Sequence, residues 1–287
     1  MNTHPANIKN IQNILAWALI CVCVGRAYQC IFWDIPIRSL IWNEDLIAGL
    51  VKFIFNLDWN EYLDISNTSG AIGTTVSGIG WSALIALGLV FLTKRLRSVS
   101  IYWITLVLVF IAFLYHLEKF KSAGQFFEYS LQFMTPILFL ILLKEGVSRK
   151  WQLLVKISIA FTFTSHGLYA LGFYPVPGNF VAMTINILHV SNDTALFLLQ
   201  IAGIIDIVVS IGIFLSGRLF NWCIGYCIVW GALTALARIF ANIEIDWFLP
   251  SLHQWAYETV YRTPHFLLPL ALWLTYKNKS FTIEIKS

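Results

Sequence analysis

The stretch that decides the fold runs from residue 194 to residue 216 and reads TALFLLQIAGIIDIVVSIGIFLS. Asp206 is its only charged residue, and most of the others are apolar. A run of roughly 20 mainly apolar residues is typical of a membrane span, because a helix rising about 1.5 Å per residue needs that length to cross about 30 Å of hydrocarbon. In hydrocarbon the backbone must satisfy its own hydrogen bonds, so the stretch is predicted to be α-helical.

The composition of the whole chain agrees with this interpretation. Hydrophobic residues make up 58% of the 287 residues and charged residues only 12%, with a mean hydropathy of +0.73. Soluble domains are roughly half apolar and about 25% charged. The net charge of +4 comes from Lys and Arg in short segments between apolar runs, so no basic face for nucleic acid is indicated. The bilayer is the partner that the composition favours.

Seven further segments show the same apolar pattern. We therefore predict an all-α polytopic membrane protein with about eight transmembrane helices. The eight predicted spans are Ile11–Trp33, Gly70–Thr93, Val99–Tyr115, Gly124–Leu143, Leu153–Phe173, Thr194–Ser216, Trp222–Phe240 and Trp255–Tyr276.

The positive residues predict an orientation, because cytoplasmic loops of membrane proteins are enriched in Lys and Arg. The clusters that fall on one side are Lys9; Lys94, Arg95 and Arg97; Lys144, Arg149 and Lys150; Arg218; and Lys277 and Lys279. Both termini are thus predicted to be cytoplasmic, in a bacterial inner membrane. The external loop 34–69 would contain a short interfacial helix at Leu46–Leu57 and could contact a membrane or periplasmic protein partner.

The two halves of the chain resemble each other, which predicts two tandem four-helix units at 1–150 and 151–287. Tyr28 falls opposite Tyr169, Gly80 opposite Gly203, and the Thr-Pro pair ending at Pro136 opposite the one ending at Pro264; further matches are Phe32, Trp33 and Pro36 with Phe173, Tyr174 and Pro177. An even number of spans per unit predicts parallel repeats. The alternative is chance similarity between apolar segments. If the duplication is real, both Thr-Pro pairs should bend or end corresponding helices, because proline removes a backbone donor.

Ionisable side chains inside the predicted spans are the candidate ligand-binding residues. Each costs about 2.5–3.5 kcal/mol at a helix centre, so each requires a partner or a polar cavity. They are Arg26, Glu128, His166, Asp206, Arg238, Glu258, Arg262 and His265. All except Asp206 are expected in the outer leaflet. They would form either an outward-facing polar site or separate structural ion pairs and interfacial groups that extend to the headgroups.

Polar stripes at helical spacing follow three of the predicted spans. Such stripes should face the interior of the bundle, because lipid offers no hydrogen bonds. The stripes are Glu258, Arg262 and His265; Gln125, Glu128 and Gln132; and Thr162, His166 and Tyr169. An ion pair between Glu258 and Arg262, four residues apart, is expected.

Asp206 and the remaining metal-ligand residue types leave alternatives open. A carboxyl group in mid-span could carry protons or make a neutral interhelical hydrogen bond. No HxxxH or ExxH motif supports a metal site, and we assign no metal. The five cysteines show neither a disulfide framework nor zinc spacing.

Three classes of function remain on this evidence, and whether the protein is an enzyme stays open. One is the binding or processing of a quinone or small redox or anionic ligand. Another is a non-enzymatic scaffold that uses loop 34–69. Secondary transport is less favoured, because no pair of mid-span helices broken by Gly or Pro is evident in the sequence.

Residues 153–240 resemble the DoxX-like family of membrane proteins. The resemblance rests on the turn SHGLYALGFYPVPGNF, the amphipathic stretch VAMTINILHV and the helix ALFLLQIAGIIDIVVSIGIFL, in that order. In that family a Glu is common where this chain has Asp206. The first half, with Arg26, is more weakly similar to the transmembrane region of vitamin K-dependent carboxylase relatives. The resemblance implies a helical bundle. The DoxX-like family includes members linked to thiosulfate and quinone redox chemistry.

Overall fold

The computed structural model describes residues 5–68 and 70–284, and side chains from Ile8 to Tyr276 apart from residue 69. Every regular element in those ranges is helical. The helices are α1 (Pro5–Phe32), α2 (Arg38–Ile41), α3 (Glu44–Phe55), α4 (Trp59–Thr68), α5 (Ala71–Leu92), α6 (Arg97–Glu118), α7 (Ala123–Glu128), α8 (Ser130–Glu145), α9 (Arg149–Ala170), α10 (Gly178–Leu188), α11 (Asn192–Gly212), α12 (Gly217–Phe240), α13 (Phe248–Tyr261) and α14 (Pro264–Glu284), with a 3₁₀ turn at Ile245–Trp247.

Six helices of the described chain are long and apolar enough to cross a membrane, namely α1, α5, α6, α9, α11 and α12. Their bounds lie within a few residues of six of the predicted spans, except at the longer amino-terminal end of α1. Many of their large apolar side chains are exposed on the outside of the bundle, which is the arrangement that lipid requires. The all-helical membrane architecture predicted from the sequence is therefore confirmed at this level.

The other two predicted spans are each divided into two helices. The fourth is interrupted at Tyr129 (φ −88°, ψ 8°), between α7 and α8, and the last is interrupted at Arg262 (φ −91°, ψ −2°), between α13 and α14. The two interrupting residues thus share one backbone conformation. In both places hydrogen bonds from residue i to residue i−3 replace the regular pattern, as in Gln132 N to Tyr129 O and His265 N to Arg262 O.

Only one of the two Thr-Pro pairs coincides with an interruption. Pro264 is the first residue of α14, where its missing donor costs nothing. Pro136 lies inside α8, seven residues after the interruption at Tyr129. The expected helix end is thus observed at Pro264, whereas α8 continues through Pro136.

The first helix of each half packs against the last helices of the other half. α1 contacts α13 and α14, while α9 contacts α7 and α8. Within each half, α1 pairs with α5 and α9 with α11. The first helix of each half thus has an equivalent set of neighbours among these helices.

Two glycines mark equivalent close contacts and define the register of the two halves. A Cβ added at Gly80 would lie 2.9 Å from Ala27 O, and one at Gly203 would lie 2.8 Å from Gly167 O. Only glycine permits such close approach of the helices. An alignment of the two halves on these contacts would place Ala27 opposite Gly167, one residue from the predicted match of Tyr28 with Tyr169, and Arg26 opposite His166.

Three short helices, α2, α3 and α4, lie in the loop predicted to be external. α3 confirms a helix near Leu46–Leu57; the side chain of Asn43 accepts a hydrogen bond from Leu46 N, and Phe53 is 87% exposed. α10 occupies the corresponding segment of the second half. Ser69, at the end of the predicted loop, and the side chains of Lys277 and Lys279 lie outside the described residues.

Candidate functional site

The interruption between α13 and α14 carries a buried ion-pair group. Arg262 Nη1 lies 3.0 Å from Glu258 Oε2, and Arg238 Nε of α12 lies 3.7 Å from the same oxygen. Arg238 and Arg262 are 5% and 7% exposed. Glu258 thus compensates two guanidinium groups, but the distance to Arg238 is too long for a hydrogen bond.

The interruption between α7 and α8 carries the other buried acid. Glu128 is the last residue of α7; its Oε1 lies 3.3 Å from Nε2 of His166, and its Oε2 accepts a hydrogen bond of 2.9 Å from Gln125. This acid, from the first half of the chain, therefore contacts a histidine of the second half.

Two histidines join the groups at the two interruptions. The rings of His166 and His265 stack with 5.6 Å between centroids and 12° between planes. Nδ1 of His265 lies 2.9 Å from Arg262 O. Because a carbonyl oxygen only accepts, Nδ1 carries the proton and donates, which leaves Nε2 of the neutral ring as an acceptor. The six side chains thus form one connected cluster, which we call the interruption cluster: Glu128, His166, Arg238, Glu258, Arg262 and His265.

Several buried polar atoms near the two interruptions have no hydrogen-bond partner within the described part of the chain. They are Ser130 Oγ and Gln132 Nε2 at the first interruption, and Thr263 Oγ1 and Arg238 Nε at the second. Leaving a buried polar group unpaired costs about 1–3 kcal/mol. Two of the four are N–H donors and two are hydroxyls, so a hydrogen-bond acceptor would satisfy all of them.

Arg26 lies beside this cluster without joining its ion pairs. Its guanidinium lies 3.7 Å from the ring centroid of Tyr261 and 4.7 Å from that of Tyr129, and it donates hydrogen bonds to Gln132 and Gln29. Among the salt bridges of residues 5–68 and 70–284, none includes Arg26. Cation–π contacts and amides therefore hold this buried charge.

Asp206 is buried in α11. It takes no part in the hydrogen bonds and ring contacts that connect the interruption cluster. Its Oδ1 accepts a hydrogen bond of 2.9 Å from Tyr226 of α12. The closely packed Gly167 and Gly203 bring α11 against α9, next to His166. The structure thus gives Asp206 the interhelical hydrogen bond that was one of its two alternatives.

Helix α10 lies over one side of the cluster. Phe180 makes an edge contact with the ring of His166, and the Arg238 guanidinium lies 5.7 Å from its ring centroid. Asn186 donates a hydrogen bond to Ala241 O, just after α12, which ties α10 to the end of that helix. The short helix α10 therefore covers one side of the cluster.

The predicted stripes meet these surroundings in different ways. The stripe on α9 faces α7 and α8 throughout: Thr162 accepts from Leu131 N, His166 contacts Glu128, and Tyr169 hydrogen-bonds Ser122. The stripe of Glu258, Arg262 and His265 was predicted on one continuous helix, which is wrong, since the helix is interrupted after Tyr261. The expected pair of Glu258 and Arg262 nevertheless forms.

Sequence reasoning missed the aromatic and hydroxyl contributors. Tyr261 lies next to Arg262 in the sequence, but no sequence pattern around Tyr261 indicates its contact with Arg26. Phe180 lies in a stretch recognised as amphipathic, which is the only available signal for a covering role. Thr162 was placed on an inward stripe, but its acceptor role at Leu131 depends on an interruption that the sequence does not announce.

No protein-family model, curated protein or solved structure matches this chain. Within the described residues, no group of three His, Cys, Asp or Glu side chains is arranged to hold a metal ion.

Proposed function

We propose that the protein is an integral membrane protein of DoxX-like type, with eight spans in two tandem four-helix units. Six spans are continuous helices, and the pairs α7–α8 and α13–α14 would each complete one crossing. The exchange of first helices between the two halves supports the duplication, as do the equivalent contacts of Gly80 and Gly203. The basic clusters favour a bacterial inner membrane with both termini cytoplasmic.

Reporter fusions test this topology. Fusions after Arg97, Lys150 and Arg218 should report the cytoplasm, and a fusion within residues 44–68 should report the outside. Reversal at two of these sites would overturn the eight-span arrangement.

Within this architecture we infer that the interruption cluster binds the polar head group of a small ligand that accepts hydrogen bonds, such as a quinone carbonyl or a small anion. The observation that carries this inference is the convergence of six ionisable side chains at two helix interruptions, with Arg238 Nε and Thr263 Oγ1 unpaired. Interrupted helices at membrane depth are tolerated where they line a polar site. The inference concerns binding and assigns no reaction.

Each side chain has a defined part in such a site. Arg238 would donate from the unpaired edge of its guanidinium, and Thr263 from its hydroxyl group. Glu258 fixes the position of Arg262, while Glu128 fixes the ring of His166. Nε2 of His265 can accept a proton from a ligand hydroxyl. Phe180 would exclude water from the cluster.

A conservative substitution of Arg238 tests the binding. Arg238→Lys keeps the charge but loses the planar fork of donors. In lipid nanodiscs the wild-type protein should bind a short-chain benzoquinone or benzoate, measured by titration calorimetry, and Arg238→Lys should bind it at least about tenfold more weakly, equal to about 1.4 kcal/mol. Arg38→Lys, at an exposed pair with Asp34, is the matched control. Failure of the wild-type protein to bind either probe, or equal binding by both variants, would contradict the proposal.

Secondary transport is a second candidate, and one observation now favours it. The sequence suggested no paired broken helices, yet the last predicted span of each half is interrupted, between α7 and α8 and between α13 and α14. Such pairs are found at the binding sites of transporters. Proton uptake by proteoliposomes, followed with an internal pH-sensitive dye, should then require Asp206 and be lost in Asp206→Asn. Uptake equal to that of empty liposomes would exclude proton-coupled transport.

A further inference from the structure

A cleft of about 370 Å³ opens between α1 and α13, on the side of α13 away from Glu258 and Arg262. Its lining residues are Val24, Gly25, Tyr28, Leu252, His253, Ala256, Tyr257 and Val260. Volumes of about 300–1,000 Å³ are usual for sites that take small molecules. Helix α1 is one of the candidate spans, and Val24 is 41% exposed on its outer surface. The cleft therefore opens onto the surface that faces lipid.

At the floor of the cleft, α1 and α13 approach each other closely. A Cβ added at Gly25 would lie 2.7 Å from Tyr261 N and 3.0 Å from Tyr257 O, so only glycine fits there. The helices touch at this point. The shape of the cleft thus follows from the fixed contact of Gly25 with the α13 backbone.

Aromatic rings border one end of the cleft. The ring centroid of Trp33 lies 5.1 Å from that of His253 and 6.4 Å from that of Tyr257. Tyr28 stacks on Tyr257 with 6.0 Å between centroids. This end of the cleft is therefore bordered by aromatic side chains from both α1 and α13.

The lining of the cleft changes from aliphatic to aromatic and polar along its length. Val24 and Val260 lie at one end. At the other, the Tyr28 hydroxyl hydrogen-bonds the His253 ring, and Trp33 Nε1 donates to His253 O. Aromatic and hydrogen-bonding groups are typical of the membrane interface, and aliphatic groups of the hydrocarbon core. The gradient matches the polarity of one lipid molecule in a leaflet.

We propose that this cleft binds one acyl chain of a bilayer phospholipid, with the ester region of the lipid at Tyr28 and His253. The aliphatic half would hold the chain between α1 and α13, and the Tyr28 and His253 pair would face the ester carbonyl. The bound lipid would be part of the folded protein. This proposal does not depend on ligand binding at the interruption cluster, which lies on the opposite face of α13.

Photo-crosslinking tests the proposal. The protein is reconstituted into nanodiscs that contain a trace of phosphatidylcholine with a diazirine in one acyl chain, and labelled peptides are quantified by mass spectrometry. Peptides that cover residues 24–28 and 252–260 should be labelled at least about threefold more than the lipid-facing part of α11 around Val208. Val260→Phe should fill the cleft and remove this excess. Val229→Phe, at an exposed position of α12, is the matched control and should leave it unchanged.

A second filled variant and a second measurement make the test independent of whether Val260→Phe folds. Ala256→Phe fills the same cleft and replaces Val260→Phe if that variant does not fold. Native mass spectrometry after detergent exchange should show one retained phospholipid on the wild-type and Val229→Phe proteins and none on the filled variants. Equal labelling of the cleft and α11, or an excess that persists in both filled variants, would overturn the proposal. Neither result would affect the calorimetric test at Arg238.

Discussion

The two helix interruptions share a backbone conformation and differ in charge. Tyr129 and Arg262 have φ near −90° and ψ near 0°. The first interruption is preceded by an acid, Glu128, while the second carries an arginine and is followed by His265. Neither half of the chain contains the whole cluster, because Glu128 comes from the first and its partner His166 from the second. The cluster therefore forms only where helices from the two halves of the chain meet.

The variant expected to damage this arrangement most is Arg262→Gln. It removes the guanidinium that Glu258 contacts at 3.0 Å in a buried site and leaves the acid only Arg238, whose Nε lies 3.7 Å away. Breaking a buried pair in this way costs about 3–5 kcal/mol. Equilibrium unfolding in mixed micelles should show the loss. Arg38→Gln breaks an exposed pair and should cost less than about 1 kcal/mol; equal losses would show that the Arg262 pair is not buried.

Gly231→Ala tests the backbone at the second interruption separately from its charges. A Cβ at Gly231 would lie 2.5 Å from His265 O, so α14 would have to move. Such overpacking costs about 1–3 kcal/mol. Gly225→Ala, on the same helix, meets nothing within 4 Å and should cause no loss. Unfolding curves of the two variants that coincide would contradict the observed packing of α12 on α14.

Thr162→Val tests the first interruption in the same way, with a smaller expected effect. Thr162 Oγ1 accepts the hydrogen bond from Leu131 N that the interrupted helix no longer satisfies. Removing the acceptor should cost about 1 kcal/mol in the unfolding measurement, since interhelical hydrogen bonds in membranes are worth about 0.6–2 kcal/mol. Thr234→Val removes only bonds to carbonyls of its own helix and should be close to neutral. The reverse order of the two losses would count against an interruption at Tyr129.

Hydropathy was sufficient to predict the continuous helices, because burial of a span in lipid is a property of a local stretch. It was insufficient for the interruptions. Tyr129 carries no helix-breaking signal, and Pro136, which does, lies within a helix. The sequence did identify Arg26, Glu128, His166, Arg238, Glu258, Arg262 and His265 as unusual for a membrane interior.

What the sequence could not supply was the pairing of those residues across the two halves. The stacking of His166 on His265 depends on how α9 packs against α14. The contact of His166 with Glu128 depends on how α9 packs against α7. The contact of the Arg26 guanidinium with the ring of Tyr261 likewise depends on the packing of α1 against α13. These are tertiary facts with no trace in helical spacing, whereas the Glu258 and Arg262 pair, four residues apart, is local and was predicted.

A double-mutant cycle between Glu128 and His166 tests most directly whether the two halves build one cluster. Glu128→Gln removes the charge and keeps the shape, and His166→Phe keeps a ring that can stack on His265. Free energies of unfolding in mixed micelles would be measured for the wild-type protein, both single variants and the double variant. The contact at 3.3 Å predicts a coupling energy of about 1 kcal/mol. Strictly additive losses would contradict the account, since they would mean that Glu128 and His166 do not meet.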